Sequence, residues 1–480
     1  MGAALASDAA AGIADARYRA DPPADDAIAR ILCGCEGQAR WNAIDIVNRE
    51  IAGWTTNAVL DGWRAGAATP PAIATALEDF VAGARSLPAW ANPAQIAMAE
   101  AVFVEMSMLS CTLLFCASLP ECYVPVDLAS VLHTAGQLEQ HTDYRVRSTA
   151  AMIFPVMLRG GLTAPDGGGV AQVLKVRLIH ATIRHLILRG DPAAVMAGGA
   201  AAAAATLASL PPEGGGLHRA LYARGWNLPQ DGLPCNQEEL AYTLLTFHYV
   251  FLRSLRKLGL ALTAAEENAY LHAWNVVGHL LGIEPGLLVQ DMAAAAALFE
   301  RLQARGREAV RAGALPYDAP DPRPALAKAL MGAMQNEIPL RLLKPFPVLL
   351  TRYLCGRRNA GELGLMGRVA IVSHLLFVVL MGTVRGIDWL VRRLLPGFSV
   401  SRLVSRILGY RLTVKLLMDQ TRPLKLPEAL LNQVGHAVQD WHHDPKAPGW
   451  MNALERRMRP AFAAAGLTST TTPTTNTRET

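Results

Sequence analysis

Apolar residues along this chain recur with the 3.6-residue period of amphipathic helices, and convincing period-two runs are absent. The pattern predicts helices over 27–60, 71–85, 93–117, 128–158, 170–188, 192–210, 238–258, 264–281 and 285–312, with no sheet. Helix ends are marked by chemistry. Thr263-Ala-Ala-Glu266 has the spacing of a capping box, and Asn236, ahead of Gln-Glu-Glu239, reads as an N-cap. Gly259 and Gly282 suit helix C-termini, where a left-handed residue ends the hydrogen-bond ladder. Tyr317 to Pro324 is the best internal linker. Four regions follow: a flexible arm over 1–26, one large helical domain over 27–365, a basic and apolar helical extension over 366–465, and a disordered Thr-rich tail over 466–480.

Composition makes contact with apolar phases worth considering. Apolar residues form 51% of the 480 and mean hydropathy is +0.21, although much of this is Ala, as in the run from Gly198 to Ala208. Charge is uneven: 366–426 holds ten Lys/Arg and two Asp, net +8, against +5 for the whole chain. Inside it, Val369 to Val384 is sixteen residues without formal charge, short of the roughly 20 a bilayer span needs. The stretches around Trp389–Leu395 and Arg402–Leu417 read as basic amphipathic helices suited to an anionic membrane surface, or as a helical cap burying its apolar faces on the main domain. Basic residues interleave with Leu and Val rather than aromatic platforms, so no nucleic-acid partner is expected. Neither a secretory nor a twin-arginine signal is visible, which sets the expectation of a cytoplasmic protein, peripheral on the inner face of the membrane.

Seven scattered cysteines read as unpaired structural thiols in a reducing compartment. Walker A, GxSxG, GxGxxG, HExxH and CxxCH patterns are all absent. The glycines from Gly167 to Gly169 follow no strand and precede no Lys, so they read as a plain loop rather than a phosphate cradle.

Candidate chemistry concentrates between His141 and Arg189, in two helices joined by a Gly/Pro/Asp-rich loop. Arg145 and Thr149 share a face at i, i+4; Arg177, His180 and Arg184 share one at i, i+3, i+7. A lone imidazole between guanidiniums, beside a helix carrying an Arg and a hydroxyl, suits b-type haem. His180 would be the metal ligand, and Arg177 or Arg184 would meet the propionates.

TDYRVRSTA, KVRLIHATIRHLIL, NQEELAYTLLTFHYVFLRSLRKLG, LHAWNVVGHLLGI and LLTRYLCGRRNAGELGL resemble, in order and spacing, the successive blocks of the rubber-oxygenase family, which includes latex clearing proteins and MpaB-type oxygenases. The resemblance runs over roughly 31–365. It implies an all-α fold with a globin-like helical core and extra helices, holding haem b. It further implies an oxygenase that uses O2 on an apolar unsaturated substrate, isoprenoid or lipid-like, with an electron donor of unspecified identity. His180 matches the proximal iron ligand. Arg145 and Thr149 match catalytic distal groups that would hydrogen-bond dioxygen or a developing oxyanion. His185, His272 and His279 match family histidines; His185 lies roughly 140° around the helix from His180 and is assigned with the other two a supporting role. Two positions depart from the latex clearing proteins. Ser148 stands where they place a Lys that can cap iron, and Ala129 where they place a Glu thought to act as base, so cleavage of polyisoprene by that mechanism is not expected. The alternative is a non-catalytic haem-binding or membrane-surface protein on the same scaffold.

Overall fold

The computed structural model describes residues 16–126, 128, 149, 152–197, 206–211, 214–260, 262–313, 321–336, 338 and 340–394. Helices account for nearly all regular structure. In chain order they are α1 (Pro22–Leu32), α2 (Gly37–Ala52), α3 (Pro71–Ala84), α4 (Pro93–Glu105), α5 (Ser107–Leu113) and α6 (Leu119–Cys122). A π-helical turn, Leu114–Ser118, joins the last two. Residues 152–157 are helical. Then come α7 (Gly169–Leu188), α8 (Pro192–Ala197), α9 (Leu217–Ala223), α10 (Leu228–Asp231), α11 (Gln237–Lys257), α12 (Ala264–Leu280), α13 (Met292–Arg311), α14 (Arg323–Asn336), α15 (Phe346–Glu362) and α16 (Ile371–Leu394). A two-residue antiparallel ladder, Thr206–Leu207 with Trp226–Asn227, is the one pairing among the described residues that period-two patterning missed; strands this short carry no period.

Local chemistry explains the helix boundaries. Thr263 and Glu266 form the reciprocal capping box, and the Asn236 side chain accepts from the Glu239 N–H. Gly259 and Gly282 each have φ +82, as C-terminal glycines should. The run predicted over 27–60 is two helices, because Gly34 (φ +68) and Gly37 (φ +48) turn the chain between them. The run predicted from 285 begins instead at Met292, where the Asp291 carboxylate caps the Ala293 and Ala294 amides. The run over 93–117 bends at Met106 and then widens into the π turn.

The core centres on α11, which packs against α12, the π turn, α6 and α13. Stacked pairs Phe247–Trp274 and Phe251–Tyr270 join α11 to α12, and Tyr242 stacks on Phe299 of α13. A buried polar knot ties four elements together. Glu121 of α6 has no exposed surface and accepts from Arg253 Nη2 (2.6 Å), Gln303 Nε2 (2.8 Å) and Asn359 Nδ2 (2.6 Å). The Tyr242 hydroxyl donates to the Glu121 carbonyl at 2.8 Å. A buried carboxylate survives only when its lone pairs are filled in this way. Asn359 sits just past Gly356, whose φ of +87 kinks α15 and lets its two halves approach the knot separately.

One expectation changes here. Residues 16–26 were expected to belong to a flexible arm, but they are packed: Ala16 and Ala24 are fully buried, and the Arg17 and Arg19 carbonyls accept from Leu233 and Gln237 amides. The apolar faces of α1 lie on α3 and α7, so the segment is core structure. Cys33 is exposed and Cys35 half-buried, whereas the other five cysteines are buried; all seven are free thiols.

Candidate functional site

α7 runs through the main domain and packs on α1, α9 and α12. It starts without a side-chain cap at Gly168 and ends at Arg189, which adopts the left-handed conformation (φ 56). Its i, i+3, i+7 trio takes up three different situations. His180 is half-buried, on the border between the packed and open faces of the helix, and its Nδ1 is buried with no hydrogen-bond partner among the described residues. Burial, helped by the Arg184 charge, pushes its pKa down to about 4, so the imidazole is neutral at physiological pH.

Arg177 and Arg184, read from sequence as propionate partners, have other partners in the structure. Arg177 holds Asp21 in a two-pronged pair (Nε–Oδ2 2.6 Å, Nη2–Oδ1 2.7 Å), donates to the Leu280 carbonyl at 3.2 Å, and lies over the Phe80 ring. Arg184 has no exposed surface; its Nε donates to Asp25 Oδ1 at 2.8 Å and its Nη1 to the Cys235 carbonyl. Two guanidiniums entering a core need counter-charges, and α1 supplies both. Burial still outweighs the Arg184 charge at Asp25, whose pKa is raised. The signal was present in sequence, since Asp21 and Asp25 are one turn apart, but it required knowing that α1 lies on α7.

The remaining candidates fall into two groups. Thr149 is helical and half-buried. Arg145, Ser148 and Ala129 lie outside the described residues. His185 is half-buried near Asp191 and Arg40, and burial lowers its pKa. His272 and His279 both meet the edge of Trp90, at 5.6 and 5.9 Å between ring centroids, and His272 Nε2 accepts the Asn92 N–H at 2.9 Å. Both therefore pack α12 against the loop before α4. Among the described residues no three His, Cys, Asp or Glu side chains gather into a metal-binding group.

The loop between residue 158 and α7 is clamped by residues that patterning did not flag. Asn57 makes five hydrogen bonds here: Nδ2 donates to the Gly161 and Ala164 carbonyls (both 2.9 Å), Oδ1 accepts from the Val170 and Ala171 amides, and its own N–H donates to the Gly167 carbonyl. Glu100 of α4, 3% exposed, accepts the Gly160 N–H at 2.9 Å, while its Oε1 has no partner among the described residues. Burial raises its pKa to about 7 despite this bond, those from Gly161 and Leu162, and the Arg159 charge. Gly161, Gly167 and Gly169 are so closely wrapped by backbone carbonyls that a Cβ could not fit. This is a rigid loop whose amides are answered by a side chain, not an open phosphate cradle.

Close to Thr149 in sequence, Ile153 and Phe154 line a small cavity with Phe103, Phe247, Phe251, Tyr270 and Trp274. The π turn contributes Leu114 and Ser118 to its wall. It holds about one water-sized sphere as it stands, in a nearly all-apolar lining.

The catalytic-domain model of the family described as ER-bound oxygenase mpaB/B′/Rubber oxygenase matches residues 108–386. The chain belongs to this family of oxygenases. A curated relative, the rubber oxygenase of Streptomyces sp. (strain K30), is 23% identical over 373 residues, 75% of this chain and 74% of the relative. The solved structure of latex clearing protein LCP in the closed state is similar with a TM-score of 0.54 at 17% identity, covering 89% of this chain and 91% of that one. That likeness bears on the fold, which is helical in both. The matched region contains His180, Thr149 and the cavity wall except Phe103, but Asp21, Asp25, Asn57 and Glu100 all precede it.

Proposed function

We propose that this protein is a haem-dependent oxygenase acting with O2 on an apolar, unsaturated substrate of isoprenoid or lipid type. The observation that carries the reading is His180: a neutral, partly buried imidazole with a ring nitrogen unpartnered among the described residues, in the middle of a helix of an oxygenase family. A metal takes a histidine in its neutral form, and protons compete less with metal as the pKa falls. A lone imidazole, with no metal-binding group of carboxylates or thiolates among the described residues, suits haem, which brings the remaining iron ligands itself.

When bound, haem b would supply the redox iron at which dioxygen is activated. The chain's own contribution is different. His180 would hold the group. The buried Arg184–Asp25 and Arg177–Asp21 pairs fix the helix that presents His180 and keep its surroundings electrically balanced. The small aromatic cavity lined by Ile153 and Phe154 would add an apolar, water-poor wall to the interior. By the family resemblance, Arg145 and Thr149 would donate hydrogen bonds to dioxygen or a developing oxyanion. An electron donor, if the reaction needs one, is supplied from outside.

The test is an absorption spectrum of the purified protein, as isolated and reduced, beside His180→Ala. A stoichiometric Soret band in the parent and its loss in the variant are expected. Full haem occupancy with an unchanged spectrum in His180→Ala would reject the ligand assignment. A colourless parent after haem reconstitution would reject haem binding and leave only the helical membrane-surface alternative standing.

A further inference from the structure

α16 places its apolar residues outward. Ile371 is 77% exposed and Val379 63%, and Val372, Leu375, Val378 and Leu380 are exposed beside them. At about 100° per residue these positions cover an arc of roughly 200°, wider than the stripe a helix usually shows to a core. The contact side is narrow: Ser373 and Phe377 are buried, and Phe377 meets the edge of Phe346 at the start of α15. The apolar part, Ile371–Thr383, is too short to cross a bilayer, and no single described helix is long and apolar enough to do so. Arg368 before this arc and Arg385 after it are exposed, and Arg385 Nη1 donates to the Tyr353 hydroxyl at 2.8 Å, which steadies the helix over the domain.

We propose that α16 docks this protein on an anionic lipid surface. The helix lies in the plane of the interface, its apolar arc among the acyl chains and its flanking arginines among lipid phosphates. The charge decides between occupants. The segment 366–426 carries net +8, so a second copy would set like charge against like, and so would the chain's own basic continuation. An anionic bilayer neutralises that charge and accepts the apolar arc together, which is the chemistry of interfacial helices. The inference does not rest on the oxygenase reading, because docking is measured without turnover.

The experiment is co-sedimentation of the full-length protein with vesicles of mixed phosphatidylcholine and phosphatidylglycerol, and of phosphatidylcholine alone. Size-exclusion chromatography without lipid and circular dichroism accompany it. Preferential binding to the mixed vesicles is expected, weakening as salt rises. V372E/V379E should bind at least about tenfold more weakly with unchanged helicity, since two exposed side chains change from apolar to acidic. R368E/R385E should lose the preference for anionic vesicles while keeping the apolar arc, and it carries the test if the first variant fails to fold. Failure of the parent to bind the mixed vesicles overturns the proposal, as does binding that neither variant changes. A parent that dimerises without lipid, through a contact that V372E/V379E abolishes, overturns it in favour of a second copy.

Discussion

His248 gives the sharpest test of how this core is built. It lies in mid-α11 with no exposed surface, and neither ring nitrogen has a hydrogen-bond partner among the described residues. Burial pushes its pKa from 6.5 down to about 3, so the folded protein keeps it neutral while the unfolded chain protonates it near 6.5. The unfolded state therefore binds more protons between those values. The resulting stability is complete above pH 6.5 and is lost as pH falls toward 3. At about pH 5 the loss from this one residue is about 2 kcal/mol, taking about 1.4 kcal/mol per pKa unit and allowing for partial protonation. His248→Leu removes both the titration and the two unsatisfied nitrogens, each of which costs about 1–3 kcal/mol when dry, in exchange for a less complete fill of the site. The variant should be more stable than the parent by about 1–2 kcal/mol at about pH 8, and by about 2 kcal/mol more at about pH 5. Urea unfolding followed by far-ultraviolet circular dichroism at a series of pH values measures both quantities. A variant that is less stable at alkaline pH and keeps the parent's pH slope would refute the reasoning, because it would mean that the ring nitrogens are satisfied.

The other titrating group runs the opposite way. Glu100, raised to about 7, contributes stability that is complete below 4.5 and lost as pH rises through 7, by up to about 3 kcal/mol. Glu100→Gln should abolish that loss, and a variant that still loses stability between about pH 5 and 8 to the parent's extent would exclude Glu100 as its source. This slope opposes that of His248, so Glu100→Gln should show a steeper acid-side loss than the parent, set by His248 together with His180, whose pKa burial also lowers. Asp25→Asn or Arg184→Met alone should cost about 3–5 kcal/mol by stranding a buried partner, whereas the double variant should recover most of the loss; a double variant as unstable as the worse single would show that the pair is not the relevant unit.

The parts of this structure that were legible in sequence are those written in local pattern. Periodicity located α3, α7, α11 and α12 to within a few residues, and the Thr263–Glu266 box and the terminal glycines marked their ends. α14 and α15 were not placed: the linker chemistry around Pro322 and Pro324 lies just at the start of α14, and Gly356 interrupts α15 where a helical pattern would need continuity. The i, i+3, i+7 trio was legible as one face but not as a set of pairings. Whether Arg177 meets a cofactor or Asp21 depends on where α1 lies, which is a long-range fact that spacing does not encode. Glu100 is invisible for the same reason. It looks like a polar residue in an ordinary helix until the glycine loop some sixty residues later comes to rest on it.

These long-range contacts share a direction. α1 neutralises the two arginines of α7, Asn57 fastens the loop that feeds α7, and Glu100 fills the amides at that loop's start. All come from the part of the chain that precedes the family's catalytic domain. The helix that presents His180 is thus held by residues outside the conventional boundaries of its own domain. A buried Arg without its carboxylate carries an uncompensated charge, so removing 16–107 would leave Arg177 and Arg184 without their counter-ions in addition to exposing the apolar faces of α7 and α12. Energetically, the catalytic segment and the helices before it form one folding unit, and the chemistry proposed at His180 depends on both.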